Sequence, residues 1–202
     1  MRFSLLVILL FTRFCFADQT PAPENSKAVR AFASAGFGVG GSHLSDVTGG
    51  QDYNIRAGSG LSLTGGALVP MFVSESLNLA AQFGAGILLQ ADNRDQSKEA
   101  SWIRFPLESI LFIRNGCCFR FGAGPIYHVG NRISAKGANS SASTGVDNAL
   151  GWAIATEILM GWEERHLLAI GLRYNSIKYE SSSFSGDADG SALFLTATGI
   201  WF

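Results

Sequence analysis

The last twelve residues of the chain, 191–202, read "SALFLTATGIWF", carry no charge and finish on Trp201 and Phe202. Chain ends usually lie in water and are poorly ordered. This one alternates instead. Ala192, Phe194, Thr196, Thr198, Ile200 and Phe202 fall on one face of an extended strand, and Leu193, Leu195, Ala197, Gly199 and Trp201 on the other. Something other than water, protein or lipid, must cover at least one of those faces.

The same period of two runs upstream through seven more segments. Val29, Ala31, Ala33, Ala35, Phe37 and Val39 oppose Arg30, Ser34, Gly36, Gly38 and Gly40. Tyr53, Ile55, Ala57, Leu61 and Leu63 oppose Asn54, Arg56, Gly58, Gly60, Ser62 and Thr64. The odd positions across 77–89 are apolar against Asn78, Gln82, Gly84, Gly86 and Gln90. In the fourth segment Ile103, Phe105, Leu107, Leu111 and Ile113 oppose Arg104, Glu108 and Arg114. Pro106 there cannot donate a ladder hydrogen bond, so a bulge or break is expected beside it. The fifth sets Phe119, Phe121, Ala123, Tyr127 and Val129 against Arg120, Gly122, Gly124, His128 and Arg132. The sixth sets Trp152, Ile154, Ile158, Met160 and Trp162 against Gly151, Ala153, Glu157 and Gly161; the seventh sets Leu168, Ile170, Leu172 and Tyr174 against Gly171, Arg173 and Asn175.

Long polar connections, "HLSDVTGGQ", "DNRDQSKE", "SAKGANSSASTGVD" and "ESSSFSGDADG", alternate with the turn-sized "RNG" and "EER", and "LVPMFVSES" is intermediate. Eight up-and-down strands with long loops at one end and short turns at the other predict an all-β, eight-stranded antiparallel transmembrane barrel. A soluble lipocalin-like carrier has the same strand count with reversed polarity. The polar face separates the two. A water-facing strand surface carries Lys and Glu, yet Lys27, Lys98, Lys136 and Lys178 fall in the leader, loops or strand ends. The polar face is rich in Gly, with Ser, Asn, Gln and a few Arg. That composition suits the crowded inside of a narrow barrel and places the apolar face in lipid. Hydrocarbon leaves no backbone group without an internal partner, so the strand beginning near Val29 must close onto the one ending at Phe202.

The other end of the chain agrees with export. Arg2 and the apolar run of "MRFSLLVILLFTRFCFA" give residues 1–17 the pattern of a secretory signal peptide, too short to span a bilayer. A polar leader, 18–28, then precedes the barrel, 29–202. Losing residues 1–17 removes Arg2 and Arg13, which takes 15 basic residues to 13 against 16 acidic ones and the net charge from −1 to −3. No basic surface for nucleic acid results. The chain is 47% hydrophobic and only 15% charged, with 24 glycines. After the signal only the neighbours Cys117 and Cys118 remain, and adjacent strand residues point to opposite faces, so they read as two small apolar residues. No metal set and no cofactor motif is found.

By parity the interior holds a polar cluster: Arg56, Arg104, Glu108, Arg120, His128, Glu157 and Arg173, with Arg30, Arg114 and Arg132 on the same face. Arginine forks bind carboxylates in bidentate fashion, so these groups are expected to pair and fill the lumen. Tyr53, Tyr127, Trp152, Trp162, Tyr174, Trp201 and Phe202 are the candidates for aromatic girdles at the membrane interfaces, as is Trp102.

The stretches "IRFPLESILFI", "RFGAGPIYHVGN", "VDNALGWAIATEILMG" and "LAIGLRYNSIKY" resemble the small outer-membrane β-barrel domain family of PorT-like and OmpX-like barrels. The resemblance spans most of 29–202 and implies an outer-membrane location. Members of that family range from structural barrels to adhesins and secretion components. The uncharged last strand likewise resembles the C-terminal signal read by the outer-membrane insertion machinery. The expected protein is a monomer in contact with outer-membrane lipid and lipopolysaccharide, with a structural or cell-surface role and no enzymatic activity. Loops 134–147 and 180–190 would carry any extracellular ligand. A small gated pore and a lipid A-modifying enzyme are the competing functions. The enzyme would need a nucleophile beside His128, and no serine stands one or two residues from it.

Overall fold

The structure, a computed structural model, describes residues 28–43, 55–73, 77–95, 98–114, 118–137, 140–163, 166–180 and 187–201. Side chains at 93–98, 136–142 and 161–166 lie outside that description. So do the signal peptide, nearly all of the leader, and Tyr53 and Phe202.

Eight long antiparallel strands form the wall: β1 (Arg30–Gly40), β2 (Gly60–Val73), β3 (Asn78–Asp95), β4 (Lys98–Arg114), β5 (Phe119–Gly137), β7 (Ala149–Glu163), β8 (His166–Tyr179) and β10 (Ala192–Trp201). Two short pieces, β6 (Ser140–Gly145) and β9 (Ala188–Asp189), pair with β5 and β8. Each wall strand pairs with its chain neighbours, and β10 closes the ring by pairing with β1 from Ala31↔Trp201 to Gly40↔Ala192. The C-terminal strand is thus fixed by ladders on both sides, which is why it needs no charge.

Register also gives the tilt. From Gly40 the pairs pass through Ala192, Asn175, Ala153 and Gly124, then Ile110, Gln82 and Leu68, and return to β1 at Arg30. The walk comes back ten residues below its start. With ordinary strand spacings that stagger tilts the strands by about 40° and makes each residue about 2.5 Å of height. Side chains fill so narrow a lumen.

The two faces are those of the alternation. Inward positions 32, 36 and 38 on β1 and 104, 106, 108, 110 and 112 on β4 are buried, while outward Leu150, Met71 and Ile154 are 68%, 65% and 63% exposed. A wall of large apolar residues all around the barrel exceeds what a water-soluble monomer exposes.

Several expectations need correction. The bulge expected beside Pro106 is present in the pairing with β5, although strand β4 itself runs through the proline unbroken. The irregularity in its pairing with β5 falls between Ile103 and Phe105, because β5 gains one residue there, at Gly130 with φ +61°. One extra residue reverses every later side chain. Arg132 is therefore exposed and donates to Ser143 Oγ at 2.8 Å, while Asn131 and Ile133 turn inward. A turn at 57–58 has the same effect before β2: Ile55 and Ala57 are buried, and Arg56, expected inside, is exposed. Trp102 shares the parity of Arg104 and is fully buried rather than at an interface. Finally, "DNRDQSKE", "SAKGANSSASTGVD" and "LVPMFVSES" hold strand: β3 reaches Asp95, β5 folds back as β6, and β2 continues to Val73.

Candidate functional site: the filled lumen and the sheet above it

Three layers fill the lumen of the described structure. Near the short-turn end, Arg120 Nε donates to Glu157 Oε2 at 2.6 Å, with the Arg120 guanidinium 4.1 Å above the Phe112 ring. Gly122 makes that stacking possible, because a Cβ there would lie 2.6 Å from the ring. Midway, Arg173 bridges to Glu108 Oε2 at 2.5 Å, Gln82 donates to the other Glu108 oxygen at 3.1 Å, and Arg173 Nε donates to Asn175 at 2.8 Å. Both carboxylates are buried, and burial makes such pairing obligatory.

The top layer was legible only in part. Arg104 is fully buried and donates to the backbone oxygens of Ala57 and, at 2.7 Å, Ser59, so it ties the β1–β2 connection into the mouth. Its guanidinium stacks 4.3 Å from the Trp102 ring, whose centroid is 5.0 Å from that of Tyr179. The Tyr179 hydroxyl and His128 Nδ1 lie in hydrogen-bond contact at 2.5 Å. Parity would have found Trp102, since it precedes Arg104 by two. Tyr179 was missed because the polar residues after Tyr174 disguise the end of β8.

Outside, Tyr127, Trp152 and Tyr174 are 39%, 62% and 47% exposed on the neighbouring strands β5, β7 and β8. Corrected for the tilt, they fall within about 5 Å of one height. Trp201, 42% exposed, lies about 20 Å below them. The side chain of Trp162 is outside the described residues. Two grooves lie on this outer wall, one lined by Phe83, Leu107 and Tyr127 and the other by Leu111, Phe121 and Leu172.

Above the rim, among the described residues, the wall continues on one side. The upper parts of β3, β4, β5 and β6 rise about 15 Å past Gly40 as an open sheet. Its inner face, with Ala100, Trp102, Ile133, Ala135 and Val146, packs on Ile55 and Ala57 of the β1–β2 connection and on Ala188. Ser42 N donates to Asp189 O at 2.7 Å, joining that connection to β9. Among the described residues strand β6 pairs only with β5, and no described strand covers its outer edge.

No family model matches the chain, and no curated protein sequence does. Among solved structures, the chain is similar to Neisserial surface protein A at 15% identity, covering 86% of this chain and 96% of that one, with a TM-score of 0.49. It is similar at 7% identity to Ail, the attachment invasion locus protein of Yersinia pestis, covering 86% and 97% with a TM-score of 0.47. A third is the outer membrane protein OprG from Pseudomonas aeruginosa, at 13% identity, 86% and 94% coverage and a TM-score of 0.42.

Proposed function

We propose that the chain is an outer-membrane barrel that acts at the cell surface through the sheet projecting from its long-loop end. On this reading residues 1–17 export it, the insertion machinery reads β10, and lipid and lipopolysaccharide cover the apolar wall. The short turns face the periplasm. The observation that carries the reading is the pairing of a filled lumen with the projecting sheet. A strand edge with open N–H and C=O groups is a template for an extended partner segment, so β6 is where a surface ligand would add. As a closed barrel it needs no second copy to satisfy its edges.

The competing functions have less support. Side chains occupy the lumen at three heights, which argues against an open pore. His128 is 2% exposed and engaged with Tyr179, so it has neither access to substrate nor a nucleophile to activate.

The test compares cells displaying the chain with cells displaying a variant whose residues 132–145 are replaced by a short turn. The expected result is loss of adhesion to protein-coated surfaces or neighbouring cells, with the barrel still shifting on heating in a detergent gel. Adhesion that survives, or unitary conductance steps from the intact chain in a planar bilayer, would overturn the reading.

A further inference from the structure

Leu150, Tyr127, Leu107, Ala85 and Gly65 are paired in turn across β7, β5, β4, β3 and β2, and form one outward row of the ladder. In the next row down, Trp152 pairs with Pro125 and Ser109 with Phe83. The upper groove of the outer wall follows these two rows. It passes below Tyr127 and Leu107 over Pro125 and Ser109, then above Phe83 over Ala85 and Gly65. Each row descends about 3 Å per strand, so the groove opens at the height of Tyr127 and Trp152 and ends about midway down to Trp201. Its outward side chains are apolar apart from the Ser109 and Tyr127 hydroxyls, since Glu108 points into the lumen. Barrel packing does not account for the open lower end. A Cβ on Gly65 would meet nothing nearer than the Phe32 oxygen at 3.6 Å, whereas one on Gly66 would lie 2.0 Å from the Phe83 oxygen. The fold therefore requires glycine at 66 and would accept a larger residue at 65.

We propose that this groove holds one acyl chain of a lipopolysaccharide molecule, with the sugar end above Tyr127 and the chain running down to Gly65. The groove is about 19 Å long, four strand spacings, and about 7 Å wide, two residues along a strand. One leaflet of hydrocarbon is about 15 Å deep, so a chain reaching from the aromatic belt to the midplane matches that length. A second barrel does not suit the same place. The strip offers on the order of 100 Å², against the ~800 Å² that each partner of a stable interface buries. The inference rests on the reading of the chain as an outer-membrane barrel with its long-loop end outside, where lipopolysaccharide supplies the leaflet. It is independent of the adhesive role of the projecting sheet.

The test refolds the full barrel in micelles with lipid A and, separately, with a phosphatidylethanolamine, dilutes each sample in detergent and counts the retained lipid by native mass spectrometry. A single retained lipid A per barrel is expected, with phosphatidylethanolamine lost first. Gly65→Leu and Ala85→Phe fill the lower half of the groove and should each reduce retention about fivefold or more. Ala197→Phe adds the same bulk to the outward face of β10, beyond β1, and should leave retention within about twofold. Heat-dependent gel migration shows that each variant is folded. Unchanged retention in a folded Gly65→Leu/Ala85→Phe variant, or phosphatidylethanolamine held as firmly as lipid A, would overturn the proposal. A folded parent that retains no lipid overturns the groove alone, whereas a parent without heat-dependent migration overturns the membrane reading and the groove with it.

Discussion

Arg120 and Glu157 show what a side chain needs in this barrel. Each is about 5% exposed, and their charges are tolerable only because they face each other across β5 and β7. Replacing Glu157 with Ala leaves a guanidinium without its carboxylate and should destabilise the barrel by about 3 kcal/mol. The double variant Arg120→Met/Glu157→Leu should return to within about 1 kcal/mol of the parent, because two apolar groups need no partner. Urea unfolding midpoints in micelles measure both, and a double variant that loses at least as much as the sum of the two single variants would show that the pair is not coupled. At this scale the sequence indicated most of the inward residues, though not the outward turn of Arg56 and Arg132 or the inward one of Trp102, and it did not give their contacts. Arg104, Glu108, Arg120, His128, Glu157 and Arg173 are inside as their parity requires, whereas the Arg104–Trp102–Tyr179–His128 stack depends on which strands the register brings together.

Single residues decide what whole elements present. The eight strands were legible because one face is apolar for its full length. Their upper ends were not, because above the apolar wall the outer face turns polar while the inner face becomes apolar, so the alternation reverses: "SAKGANSSASTG" reads as loop, yet β5 and β6 pair across it. Nor was the reversal of Arg132 visible, since Gly130 looks like any other glycine of β5. Its φ of +61° is the left-handed region, and a Cβ there would meet the Phe105 ring at 3.0 Å. Gly130→Val should cost about 1–3 kcal/mol and Gly130→Asn clearly less, as asparagine tolerates that conformation. Denaturant midpoints would show the difference; equal effects would mean that the bulge carries no strain.

The turn after β9 carries an ionisable group held by hydrogen bonds. The hydroxyl and backbone N–H of Ser191 bond Asp189 and hold its carboxyl below the usual carboxylate range. A lowered native pKa contributes stability above the unfolded value, near 4, that is lost as pH falls through the native value. The turn should therefore loosen in acid, seen as a shift of the Ser191 amide resonance, and Asp189→Asn should abolish that dependence. An amide resonance that moves with pH equally in both would contradict it.

For the whole molecule, one rule of alternation and one stagger of ten residues fix the result. The stagger sets the tilt and the width, the width makes glycine and paired charges the suitable filling, and closure leaves the apolar faces outside. The sequence reading reached this level most fully, because closure and polarity follow from pattern rather than from particular contacts. The central claim is that the apolar wall faces lipid and the polar face is enclosed. Its most direct test is tryptophan quenching by brominated lipids in refolded single-tryptophan variants. Trp152 and Trp201, on the outer wall, should be quenched strongly, and Trp102, sealed between Arg104 and Tyr179, should keep its emission. Strong quenching of Trp102 with Trp152 untouched would mean that inside and outside are reversed.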